Sequence, residues 1–141
     1  MEKLIYLTKK ERVKIQRVLS QSLGKEGLVL FAYLHGSFAE GKPFRDIDIA
    51  VFVDGLRISK ERALDFEVSS SIRLEKTIRM PVDVKVINYA PLTFQYYSTA
   101  GTLLMCRDDD FRVDFLTRTR SLYFDFRPSS ERFLREMLHA E

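Results

Sequence analysis

The chain has 141 residues, 45% of them apolar and 30% charged, with a net charge of +3. That is the make-up of one soluble domain with a real core, expected to span residues 1–141, and the modest positive charge permits a nucleotide or acidic partner while giving no reason to expect direct nucleic-acid binding. No apolar run approaches the roughly 18 residues that a membrane-spanning helix needs, and the single cysteine, Cys106, excludes an intrachain disulfide or a cysteine-based metal site.

The opening residues Met1 to Leu4 lack the long apolar core of a signal peptide, so a cytoplasmic location is expected. Thr8-Lys9-Lys10-Glu11 reads as a capping box. It starts a helix whose apolar positions are Ile15, Val18, Leu19 and Leu23, with Gly24 as its stop. Leu28 to Leu34 is a continuous apolar run of strand length, expected to be covered on both faces. Gly36-Ser37 ends that strand and begins a short helical turn through Glu40; Gly41, Lys42 and Pro43 mark a loop.

Asp46 to Val53 is the second strand, and Asp54-Gly55 turns it. Ser59 is the N-cap of a helix expected to run to about Arg79, where Met80-Pro81 breaks it. Val82 to Ile87 alternates as a third strand, with Val82, Val84 and Val86 on one side and Asp83, Lys85 and Ile87 on the other. Pro91 opens a helix to about Ala100, and Leu103 to Cys106 is a short fourth strand. Asp108 to about Phe126 reads as helical with acids in its first turn; Pro128 is expected to interrupt it, leaving a last helix from Ser129 to Leu138. Strands and helices alternate, which predicts an α/β (α+β) fold: a small mixed β-sheet flanked by helices, with C-terminal helices from about residue 108.

The chemistry concentrates at three places. Asp46 and Asp48 head the second strand and, one residue apart, project from the same face, with α-carbons about 6.5–7 Å apart. Acids are rare inside strands, and two on one face of an apolar strand suit a shared divalent metal. Asp83 on the next strand is the candidate third carboxylate, able to draw a proton from an attacking hydroxyl. Gly36 lets the backbone approach phosphates, and backbone amides with the Ser37 hydroxyl can donate to their oxygens. Lys85 shares the face of Asp83, within reach of a phosphate or a carboxylate. Lys42 and Arg45 stand in the loop before the acids. His35 reads as a packed structural residue, and Cys106 as core. Tyr96, Tyr97, Phe94, Tyr123, Phe124 and Phe126 read mainly as core, with part of the group free to line a nucleotide or meet a partner.

Together, "HGSFAEGKPFRDIDIAVFVD" and "PVDVKVIN" resemble the DNA polymerase β-like nucleotidyltransferase superfamily, and within it the minimal nucleotidyltransferases, or MNT proteins. The resemblance extends to "GTLLMCRDDD" and to the tail "LYFDFRPSSERFLREML". The spacer from Ser37 to Asp46 is eight residues, shorter than the family's usual one, while all three acids remain. The resemblance implies a polymerase β-like fold and Mg²⁺-dependent chemistry with two ions and ATP as substrate. In it Asp46, Asp48 and Asp83 are catalytic and metal-binding, and Gly36 and Ser37 bind phosphate. It also implies an antitoxin that transfers AMP to a tyrosine hydroxyl of a partner HEPN-domain RNase toxin, as a homo-oligomer or a hetero-oligomer with that toxin. A non-catalytic antitoxin that neutralises by binding, and a small-molecule nucleotidyltransferase of the aminoglycoside type, are the alternatives.

Overall fold

The computed structural model describes residues 3–139. Its elements run α1 (Lys9–Gly24), β1 (Val29–His35), α2 (Gly36–Ala39), β2 (Ile47–Val53), α3 (Lys60–Ile78), β3 (Val82–Val86), α4 (Leu92–Ser98), β4 (Thr102–Cys106) and α5 (Asp109–His139). The capping box at α1 forms as the sequence predicts: the Thr8 side chain accepts from the Glu11 amide, and the Glu11 carboxylate accepts from the Thr8 amide.

The four strands make one mixed sheet in the order β3-β2-β1-β4. β1 pairs antiparallel with β2 and with β4, whereas β2 and β3 are parallel. A parallel pair cannot be joined by a tight turn, and α3 is the crossover that returns the chain.

Side-chain alternation divides the sheet's two faces between two cores. Ile47, Ile49, Val51 and Val53 of β2 join Val82, Val84 and Val86 of β3 under Leu19 and Leu23 of α1 and Leu74 of α3. On the opposite face Phe31, Tyr33 and Ala50 pack with Phe115 and Leu116 of α5, and Phe52, Phe94 and Phe111 pack against that group. Asp48 and Asp83 belong to this second face by alternation, at the end that the aromatic core does not fill. That end is where the site lies.

β3 is an edge strand, yet its outward amides are engaged. The amide of Val82 donates to Glu75 Oε1 at 3.0 Å, that of Val84 to Ser71 Oγ at 3.0 Å, and that of Val86 to Glu67 Oε2 at 2.8 Å. Residues 67, 71 and 75 share one helical face, so α3 supplies side-chain acceptors at the places where a further strand would supply carbonyls.

One expectation fails. The chain does not break at Pro128; α5 runs as one helix of 31 residues from Asp109 to His139, so the C-terminal helices predicted from about 108 are a single helix. Proline removes one amide from the i→i−4 ladder, and the bonds on either side carry the helix across the gap. At α4, Pro91 is the N-cap rather than the first helical residue, and the helix ends at Ser98. No helix among the described residues is long and apolar enough to cross a membrane.

Candidate active site

β2 and β3 bring the acids together by register. Asp48 pairs with Asp83 across the parallel strands, and on the other side Asp48 pairs with His35 of β1. Asp46 precedes β2 by one residue and shares the side of Asp48. A carboxylate oxygen from each of Asp46, Asp48 and Asp83 lies within 4.8 Å of the others, and all three residues are half-buried. Three carboxylate oxygens this close to one another are able to converge on one divalent cation. An all-oxygen, all-anionic donor set is the chemistry that hard divalent cations require.

The cluster carries an electrostatic load that a cation would relieve. Burial, and then the charges of Asp46 and Asp83, push the Asp48 carboxyl up to about 6 from its ordinary 3.8. Lys85 stands at the rim of the cluster, with its ammonium 3.8 Å from Asp83 Oδ1. The sequence left Lys85 between phosphate and carboxylate; in this structure it pairs with the carboxylate.

Gly36 completes the site. It sits at φ +79°, and a β-carbon there would collide with the Asp48 carboxylate. Only glycine lets the β1–α2 turn press this closely against the acid. Ser37 follows it, exposed. His35 precedes it and packs edge-on against Phe94 with ring centroids 5.5 Å apart. Its Nε2 is buried with no hydrogen-bond partner. Burial lowers the His35 pKa, against a smaller opposing pull from Asp83, so the ring is neutral at pH 7.

Arg12 is the residue that sequence reasoning missed. From α1 its guanidinium donates to the carbonyls of Phe38 at 3.0 Å and Lys42 at 2.7 Å, and it lies over the rings of Phe38 and Phe44 at 5.3 and 5.4 Å. It thus pins the loop that follows Gly36-Ser37 and leads to Asp46. An arginine in the first turns of an amphipathic helix reads as a solvated charge; only the fold brings the loop to it. Lys42 and Arg45, considered for phosphate, are exposed on that loop, and Lys42 reaches Glu40 at 3.9 Å. The acids at the start of α5 act locally as expected, Asp108 Oδ1 accepting from the Phe111 amide at 3.1 Å. Cys106 packs, half-buried, at the edge of the second core.

Three carboxylates on adjacent strands, with a glycine turn forced against one of them, can hold a divalent cation and receive a polyphosphate beside it. Residues 13–110 match the family model described as "Polymerase beta, Nucleotidyltransferase". Among solved structures, the chain is similar to a complex of tri-AMPylated Shewanella oneidensis HEPN toxin with MNT antitoxin, with a TM-score of 0.65 and 18% identity over 90% of this chain and 98% of that one. It is similar to a toxin–antitoxin crystal structure with AMP-PNP, with a TM-score of 0.62 and 20% identity over 94% and 99%. It is also similar to the toxin–antitoxin MntA-HepT, with a TM-score of 0.60 and 16% identity over 93% and 99%. At these identities the likeness is one of fold. No curated protein matches the chain.

Proposed function

Because the chain belongs to the polymerase beta nucleotidyltransferase family, we propose that it is an antitoxin that transfers AMP from ATP to a tyrosine hydroxyl of a HEPN RNase toxin. The observation that carries this reading is the acid cluster: Asp46, Asp48 and Asp83 converge within 4.8 Å beside a glycine turn that abuts Asp48. The solved complexes of similar fold supply the partner class, since one holds a tri-AMPylated HEPN toxin and another AMP-PNP.

Asp46, Asp48 and Asp83 would hold Mg²⁺. When bound, the ion neutralises the triphosphate and withdraws charge from the α-phosphorus. The chain's own residues do the rest. Gly36 leaves room for the triphosphate against the sheet end, and the Ser37 hydroxyl donates to a phosphate oxygen. Asp83 accepts the tyrosine proton as the phenolic oxygen attacks the α-phosphorus. The new bond joins that oxygen to phosphorus, the bond from the α-phosphorus to the bridging oxygen breaks, and pyrophosphate departs. Arg12 keeps the loop between Ser37 and Asp46 in place. The AMP added to the toxin brings negative charge and bulk, which would repel RNA phosphate from the toxin's cleft.

The test is a transfer assay with the intact chain, ATP, Mg²⁺ and a HEPN partner, read by mass spectrometry of the partner. Gain of whole AMP units that disappears in the Asp46→Ala/Asp48→Ala chain is the expected result. No mass gain, with neutralisation retained by the double variant, overturns catalysis and leaves an antitoxin that acts by binding.

A further inference from the structure

Gly36 meets both the acid cluster and a hollow. On one side it touches the acid cluster; on the other it lines a cavity of about 430 Å³ between the β1–α2 turn and the α4–β4 connection. His35 and Ala39 flank it there, and Tyr97 and Gly101 enter from α4 and its exit. The position of that second wall is fixed, because a β-carbon at Gly101 would run into the carbonyl oxygen of Leu34 at the end of β1. The α4–β4 connection therefore lies directly on the strand that delivers Gly36.

Tyr97 is 60% exposed, an unusual place for a tyrosine held on several sides. Its ring meets Tyr96 and Tyr123 edge to face, with centroids 5.2 and 5.7 Å away, and its hydroxyl lies 2.9 Å from the Tyr123 hydroxyl. Neither ring contact is a parallel stack. The stacked pair in this group is Tyr96 with Tyr123, at 3.9 Å and 6°. Tyr97 is thus an aromatic ring locked in place, exposed, and beside the glycine of the phosphate turn.

The geometry points to Tyr97 as the residue on which the nucleobase stacks, with the base in this cavity and the triphosphate passing Gly36 toward the acids. This rests on the nucleotide reading above and assigns the base a place. Such a platform reads a flat π-face and no hydrogen-bond pattern, so it selects for the presence of a base more than for its identity. Purines, with the larger face, bind more tightly than pyrimidines.

The experiment titrates the full chain with ATP and with inorganic tripolyphosphate in Mg²⁺, for the wild type, Tyr97→Phe and Tyr97→Ala. Tyr97→Ala is expected to bind ATP about tenfold more weakly, as base–aromatic stacking implies. Its tripolyphosphate affinity stays unchanged, which also reports that the variant is folded. Tyr97→Phe keeps the ring and binds both like the wild type. Equal ATP affinity for Tyr97→Ala and wild type overturns the inference alone. So does equal weakening of ATP and tripolyphosphate, or loss in Tyr97→Phe equal to that in Tyr97→Ala. A wild-type chain that binds neither ligand overturns the nucleotide reading and this inference together.

Discussion

Gly36 presses against the Asp48 carboxylate so closely that no side chain fits between them, and it does so at φ +79°. Gly36→Ala therefore meets two obstacles at once. The left-handed backbone strains any L side chain, by about 1–3 kcal/mol, and the methyl group must displace Asp48. We expect a lowered melting temperature and AMP transfer slowed by about a hundredfold, the scale of a small misplacement of reacting groups. A folded Gly36→Ala chain with wild-type transfer would show that the turn does not set the position of Asp48.

The Asp48 carboxyl, raised from 3.8 to about 6 by burial and then by its two acidic neighbours, ties stability to pH in the metal-free chain. The folded state binds this proton more tightly than the unfolded chain does. Its contribution is present at low pH and is lost as pH rises through the window from about 4 to about 6. Melting temperature in chelator should fall across that window for the wild type, and Asp48→Asn should remove this part of the fall. Parallel curves for the two chains would sink the assignment.

The same carboxyl makes cation binding proton-competitive. At pH 7.5 Mg²⁺ should raise the melting temperature of the wild type, by the equivalent of about 1.4 kcal/mol at ten times the dissociation constant. At pH 5, where Asp48 holds a proton, the rise should shrink, and Asp46→Asn/Asp48→Asn should abolish it at both pH values. A Mg²⁺ response that survives in the double variant places the ion elsewhere.

Arg12 joins α1 to the loop before the acids through two carbonyl hydrogen bonds and two aromatic rings. Arg12→Ala should destabilise the fold by about 2–3 kcal/mol, the range for hydrogen bonds to a charged group plus lost packing. Arg12→Lys should recover little, because one ammonium cannot span both carbonyls as the planar fork does. Urea unfolding measures both variants. Unfolding free energies within 0.5 kcal/mol of wild type, roughly the margin of ordinary surface changes, would mean that the loop holds itself.

What the sequence revealed and what it concealed divide along range of interaction. Strand alternation alone places Asp46 with Asp48, and Asp83 opposite Val82 and Val84, because the period of two is local. The Asp48–Asp83 register and the strand order β3-β2-β1-β4 are not local; an acid inside the next strand made Asp83 the candidate partner, and the family resemblance supported it, but neither gave the register. Arg12 was illegible for the same reason: the loop carbonyls it holds lie 26 and 30 residues away. Pro128 misled in the other direction. Its local rule is sound, yet one missing amide is a small loss in a helix of 31 residues. Tyr97 was visible as part of an aromatic group, but its separation from the stacked Tyr96–Tyr123 pair depends on how α4 meets α5.

The spacing of Glu67, Ser71 and Glu75 along α3 has a consequence for life at high concentration. The three outward amides of β3, at Val82, Val84 and Val86, are already answered by these side chains. A neighbouring copy finds the amide donors there already taken, so lengthening the sheet from the flank that carries Asp83 is disfavoured. Templated pairing is thereby disfavoured on the flank that carries one of the three acids.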